Sequence, residues 1–106
     1  MTMRKVKVIC SCGAAIAQST MMQMRLEEEF KKRGIPVQID KCIFSEVPGK
    51  VDSLQPDFVF AAGKLPFKLD IPVFNGFPII TGIGLENMID SFFEEVNKLI
   101  DNMKAY

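Results

Sequence analysis

Val6-Lys7-Val8-Ile9-Cys10-Ser11-Cys12-Gly13-Ala14-Ala15-Ile16-Ala17-Gln18-Ser19-Thr20 is the stretch that decides how this chain is read. Val6, Val8, Ile9 and Cys10 form a short apolar run after Arg4 and Lys5, as a buried strand does. Small residues fill the turn, and Ser19 and Thr20 open a helical pattern. A junction of this kind aims several backbone N–H groups at one point, where the helix dipole adds positive potential. A cysteine placed there is expected to serve as a thiolate and to be able to carry a phosphoryl group on sulfur. Cys12 is that residue.

Working outward, Met22, Leu26 and Phe30 recur at four-residue spacing while Arg25, Glu27, Glu28, Lys31 and Lys32 stay polar. This predicts a helix over roughly residues 19–33, ended by Gly34 and Pro36, with Thr20 and Gln23 at capping-box spacing. Ser19 and Thr20 are then either plain caps or hydroxyls that cradle phosphate oxygens. Met21 and Met24 lie towards the other side of this helix; the reading favoured is core filler, over a patch that faces a partner.

Ile35, Val37, Ile39 and Ile43 alternate with Gln38, Asp40 and Cys42, which predicts a half-exposed strand suited to a sheet edge. Residues 44–56 read as irregular or a short helical turn. Phe58 to Ala62 is a continuous apolar run expected of a central parallel strand, ended by Gly63. Ile71 to Phe74 makes a short fourth strand, and Pro78 to Thr81 a fifth strand or an ordered loop. Leu85, Met88, Ile89, Phe92, Phe93, Val96, Leu99, Ile100 and Met103 follow helical spacing throughout. That closing helix is expected to pack on its own sheet. The β-α-β-β-β-α order implies an α/β fold, an open and mostly parallel sheet flanked by helices, with ligands at the carboxyl ends of the strands.

The chain has 106 residues, 48% of them hydrophobic and 25% charged, with 13 basic and 13 acidic side chains. These values fit one globular domain over residues 1–106 and give no basic excess for nucleic acid. Three cysteines at irregular spacing make a poor disulfide framework and suggest a reducing cytosol. The apolar stretch near the start is broken by Lys7, Ser11 and Gly13, so neither a signal peptide nor a membrane span is expected. Histidine is absent, which removes Cys-His and Ser-His nucleophile pairs, histidine metal sites and phosphohistidine chemistry.

Three chemistries compete for Cys12. A C-x5-R phosphatase loop needs arginine six residues on, where this chain has the neutral amide Gln18. A redox site would use the pair Cys10 and Cys12, whose C-x-C spacing is not the C-x-x-C of thioredoxin-like sites but puts both sulfurs on one side if the strand persists. A zinc site would add Cys42 and Asp40, and nothing in the sequence brings these together. Cys10 reads better as a small buried hydrophobe. A phosphocysteine carrier needs no arginine, because it must release the group to an acceptor rather than to water.

The sequence resembles the IIB subunits of bacterial sugar phosphotransferase systems, in the galactitol-type branch. The resemblance rests on Val8-Ile9-Cys10-Ser11-Cys12-Gly13 with Ser19-Thr20-Met21, on Gly34-Ile35-Pro36-Val37, on Asp70-Ile71-Pro72-Val73, and on the stretch from Gly76 to Gly84. It implies a three-layer domain with a four-stranded, mainly parallel sheet like that of low-molecular-weight phosphatases. It also implies that Cys12 is phosphorylated by the phosphohistidine of a IIA partner. The group then passes to a sugar or polyol entering through a membrane IIC partner, so the chain works in the cytoplasm and docks transiently at the membrane. The matched phosphate loop is Gly13, Ala14, Ala15, Ile16, Ala17, Gln18, Ser19 and Thr20; no metal or cofactor is called for. Cys10 departs from the apolar residue the family carries there. The other readings left open are a regulatory module of the same fold that senses phosphorylation and, behind it, a phosphatase. Gly82 and Gly84 are either turn residues at positive φ or part of a partner-facing surface.

Overall fold

The computed structural model describes residues 5–13, 16–66 and 68–104, with no side chain described at positions 16–18, 103 and 104. Its strands are β1 (Val6–Cys12), β2 (Val37–Ile43), β3 (Phe58–Ala62) and β4 (Val73–Asn75). The helices are α1 (Ile16–Lys32), α2 (Val47–Leu54), α3 (Phe77–Thr81) and α4 (Leu85–Lys104), with a 3-10 turn at Phe44–Glu46 before α2. The sheet order is β2-β1-β3-β4, and every pairing is parallel. The two strands that read as continuous apolar runs, β1 and β3, are the central ones, and the alternating β2 is an edge, as expected.

The strand period of two sends alternate side chains to two cores. Val6, Val8, Cys10 and Cys12 join Phe58, Phe60 and Ala62 in the larger core, which α1, α3 and α4 cover. Ile9, Cys42, Val47 and Val59 form a smaller core on the other face, under α2 and the connection that carries Leu65, Leu69 and Ile71. Helices on both faces make the three-layer α/β architecture. At the centre of the larger core, the Phe92 ring meets Phe30, Phe58, Phe60, Phe74 and Phe93 at centroid distances of 4.8–5.8 Å. Phe92 is fully buried, so the closing helix packs on its own sheet.

Four expectations need correction. Helix α1 begins at Ile16, not at residue 19, so Thr20 is an interior residue and the capping box with Gln23 does not form. Gln23 instead donates to Glu27 Oε1 at 2.8 Å, one turn on along the helix surface. Met21 and Met24 are 48% and 65% exposed, against the core reading; Met22, between them, is the buried one. Residues 47–54 form a full α2, begun by Pro48 in its first turn, where a missing N–H costs nothing. Residues 77–81 are helical rather than a fifth strand, with Pro78 in the first turn and the Phe77 N–H donating to Asn75 Oδ1 at 3.0 Å.

The stop of α1 is the one read from sequence. The Ile35 N–H donates to the Phe30 carbonyl and the Gly34 N–H to the Lys31 carbonyl, with Gly34 at φ +66°, a helix-ending turn that a side chain would strain. Gly82 and Gly84 both sit at positive φ, as turn residues.

Candidate functional site

The carboxyl ends of the four strands define one rim of the molecule. Cys12–Gly13 leaves β1 there, Ile43–Phe44 leaves β2, Ala62–Gly63 leaves β3 and Asn75–Gly76 leaves β4. The Phe44 ring lies across the ends of β1 and β3, 3.7 Å from where a Cβ on Gly13 would stand and 3.4 Å from one on Gly63. Gly76 brings β4 against β3 closely: its N–H donates to the Ala61 carbonyl at 2.8 Å. A Cβ at Gly76 would overlap Met22 Sδ and lie 3.4 Å from the Ala61 backbone. Phe44 was missed in the sequence, where an aromatic after a strand carries no signal for which strand ends it will cover.

Cys12 is the last residue of β1, and α1 starts only four positions later, so the helix N-terminus opens close to the sulfur. The side chain of Cys12 is buried, and its thiol points at the Cys42 carbonyl oxygen, 4.0 Å away. Gly13 beside it is exposed. The sulfur is therefore covered, at the mouth of the fold rather than in its middle. Ser11, on the opposite face of β1, is buried and donates its hydroxyl to the Phe60 carbonyl at 2.9 Å, a structural bond that ties β1 to β3.

Of the expected loop residues, Ala14 and Ala15 lie outside the described residues. Ile16, Ala17 and Gln18 form the first turn of α1, and their side chains are not described. Ser19 is fully buried on α1, and Thr20 Oγ1 accepts a hydrogen bond from Lys41 Nζ at 3.3 Å. Lys41 belongs to β2 and was not singled out in the sequence, because only the strand register places it here.

The other two thiols, Cys10 and Cys42, are buried. Burial pushes the Cys10 thiol from 9.0 up to about 12, helped by Cys42 and Glu27. Burial likewise lifts Cys42 to about 11, with the Glu46 carboxylate adding to the rise and the Lys50 ammonium opposing it. Both stay protonated and unreactive in the physiological range. Cys10 and Cys12 share the face of β1 that lines the larger core, while Cys42 lies in the smaller one, and no zinc grouping assembles among the described residues. No described helix is long and apolar enough to cross a membrane.

Similarity to known proteins covers most of the chain. The family described as "PTS system, Lactose/Cellobiose specific IIB subunit" matches residues 7–99. A "PTS system galactitol-specific EIIB component" of Escherichia coli (strain K12) is 35% identical over 82 residues, 77% of this chain and 86% of the relative. The protein of the same name in Shigella flexneri is 33% identical over the same shares. The matched region takes in every described strand beyond the first residue of β1.

Proposed function

The chain belongs to the lactose/cellobiose-specific IIB family of the phosphotransferase system, and on that premise we propose that Cys12 is the residue that carries the phosphoryl group. The Cys12 sulfur attacks the phosphorus of a IIA phosphohistidine: the S–P bond forms, the N–P bond breaks, and the thiol proton passes to the imidazole, which leaves neutral. In the second step a hydroxyl oxygen of the incoming sugar or polyol attacks the same phosphorus. The O–P bond forms, the S–P bond breaks, and the hydroxyl proton passes to the departing sulfur, which returns as the thiol. The membrane IIC subunit presents that hydroxyl, so the chain works at the cytoplasmic face and docks there transiently. Galactitol, the polyol named for the relatives, is the first acceptor to try.

One observation carries the reading. Cys12 is the cysteine that ends β1, with α1 beginning four positions later, whereas Cys10 lies within β1 and Cys42 within β2. In this reading the amides of Gly13 and of the first turn of α1, Ile16 to Gln18, supply donors to the phosphoryl oxygens without a guanidinium. The neutral Gln18 fits a carrier better than a phosphatase, because a carrier must not activate water. Since Cys12 has no exposed surface in the structure, the sulfur must be uncovered before either step. The residues 1–106 act as one IIB-like domain in this scheme.

The test follows both steps. Phosphoenolpyruvate, the general transfer proteins and a cognate IIA are supplied with the chain, and IIC-bearing membranes with galactitol are then added. Phosphoryl transfer to the chain, and its loss to the polyol only when IIC is present, is the expected result. Turnover of p-nitrophenyl phosphate by the isolated chain, without transfer from IIA, contradicts the reading in favour of a phosphatase.

A further inference from the structure

Residues 12–20 contain no charged side chain, yet a phosphothiol brings nearly two negative charges to them at neutral pH. The described residues offer a cation from outside the loop. Lys41 faces Cys10 across the β1–β2 ladder, and Cys12 faces Ile43 two residues on. Ile39 and Ile43, which flank Lys41 in the alternation of β2, pack on the same core as Cys10 and Cys12. Lys41 therefore leaves the sheet on the face of the Cys12 sulfur, and its Nζ reaches Thr20 Oγ1 on α1 at 3.3 Å.

We propose that Lys41 is a positioning residue for phosphoryl transfer, its ammonium held by Thr20 beside the loop to balance the charge of the phosphocysteine. The proposal rests on the assignment of Cys12 as carrier. None of the ion pairs among the described residues engages Lys41. Glu27, two turns along α1 from Thr20, is occupied by Gln23. An ammonium on an exposed edge strand attracts the dianion without the bidentate grip of an arginine, which suits a group that must leave again. It also explains how a loop with Gln18 in the arginine position can still hold a phosphoryl group.

The experiment compares the equilibrium between phosphorylated IIA and this chain for the wild type, Lys41→Arg, Lys41→Met, Lys41→Glu and a remote control, Lys98→Met. Intact mass gives the phosphorylated fraction, and urea midpoints report folding. Lys41→Met is expected to lower the equilibrium constant about threefold and Lys41→Glu further, while Lys41→Arg and Lys98→Met stay near wild type. The gap between wild type and Lys41→Met is expected to close as salt is raised, which a merely structural tie between β2 and α1 would not show. Equal constants for wild type, Lys41→Met and Lys41→Glu overturn the role of Lys41 and leave Cys12 standing. A wild-type chain that takes no phosphoryl group on Cys12 overturns both.

Discussion

The Cys12 thiol and the Cys42 carbonyl oxygen face each other at 4.0 Å across β1 and β2, so the proposed carrier sulfur rests against its neighbouring strand. A thiol–carbonyl contact at that distance is weak, and releasing it costs little. Cys12 has no more exposed surface than Cys10, but it is the last residue of β1 at the rim, whereas Cys10 and Cys42 lie before the ends of their strands.

Thiol alkylation should follow that division. Iodoacetamide near neutral pH is expected to add one group per native chain, and Cys12→Ser to abolish the fast reaction. Intact mass against time is the measurement. Fast labelling that survives Cys12→Ser contradicts the placement of Cys10 and Cys42.

Cys10 also makes stability depend on alkaline pH. Unfolded, it ionises from its ordinary 9.0; folded, burial keeps the proton until about 12. Its stabilising effect is complete below pH 9.0 and is lost as pH rises towards about 12. At about pH 10.5 the loss from this one thiol is roughly 2 kcal/mol. Urea midpoints of wild type and Cys10→Ala at about pH 8 and about pH 10.5 test it, with the wild type expected to fall more steeply.

Gly76 and Met22 should be energetically coupled. Gly76→Ala drives a methyl group into Met22 and is expected to cost about 1–3 kcal/mol. Combined with Met22→Ala, which removes the obstacle, it should cost clearly less than the sum of the two single changes. Strict additivity in urea unfolding contradicts the close approach.

The aromatic centre and the exposed methionines give opposite expectations. Phe92→Ala removes a ring that meets five others and is expected to cost about 3–5 kcal/mol, enough to unfold much of a small domain. Met24→Ser on the solvent face of α1 should change stability by less than about 0.5 kcal/mol. A large loss at Met24 restores the core reading that the structure rejects.

Elements with long, regular patterns were legible in the sequence. The apolar stripe from Leu85 to Ile100 marked α4, the run Phe58 to Ala62 marked a central strand, and the alternation around Ile39 marked an edge. Cys12 at a strand end followed from the same reading. The start of α1 did not, because the sequence from Ala14 to Ala17 gives no amphipathic signal, while Ser19 and Thr20 imitate a cap. Residues 77–81 are too few for periodicity to separate helix from strand, and the Asn75 side chain settles it locally. Met21 and Met24 misled because methionine suits a core and a contact surface equally well. Lys41 beside Thr20, and Phe44 beside Gly13 and Gly63, are products of register between distant segments. No local pattern announces them.

The central claim is that one sulfur carries the phosphoryl group. Intact mass spectrometry after incubation with phosphoenolpyruvate, the general transfer proteins and a cognate IIA addresses it directly, using wild type and the three single cysteine-to-serine variants. The account predicts one phosphoryl group on the wild type, on Cys10→Ser and on Cys42→Ser, and none on Cys12→Ser. A Cys12→Ser chain phosphorylated to the wild-type extent contradicts it.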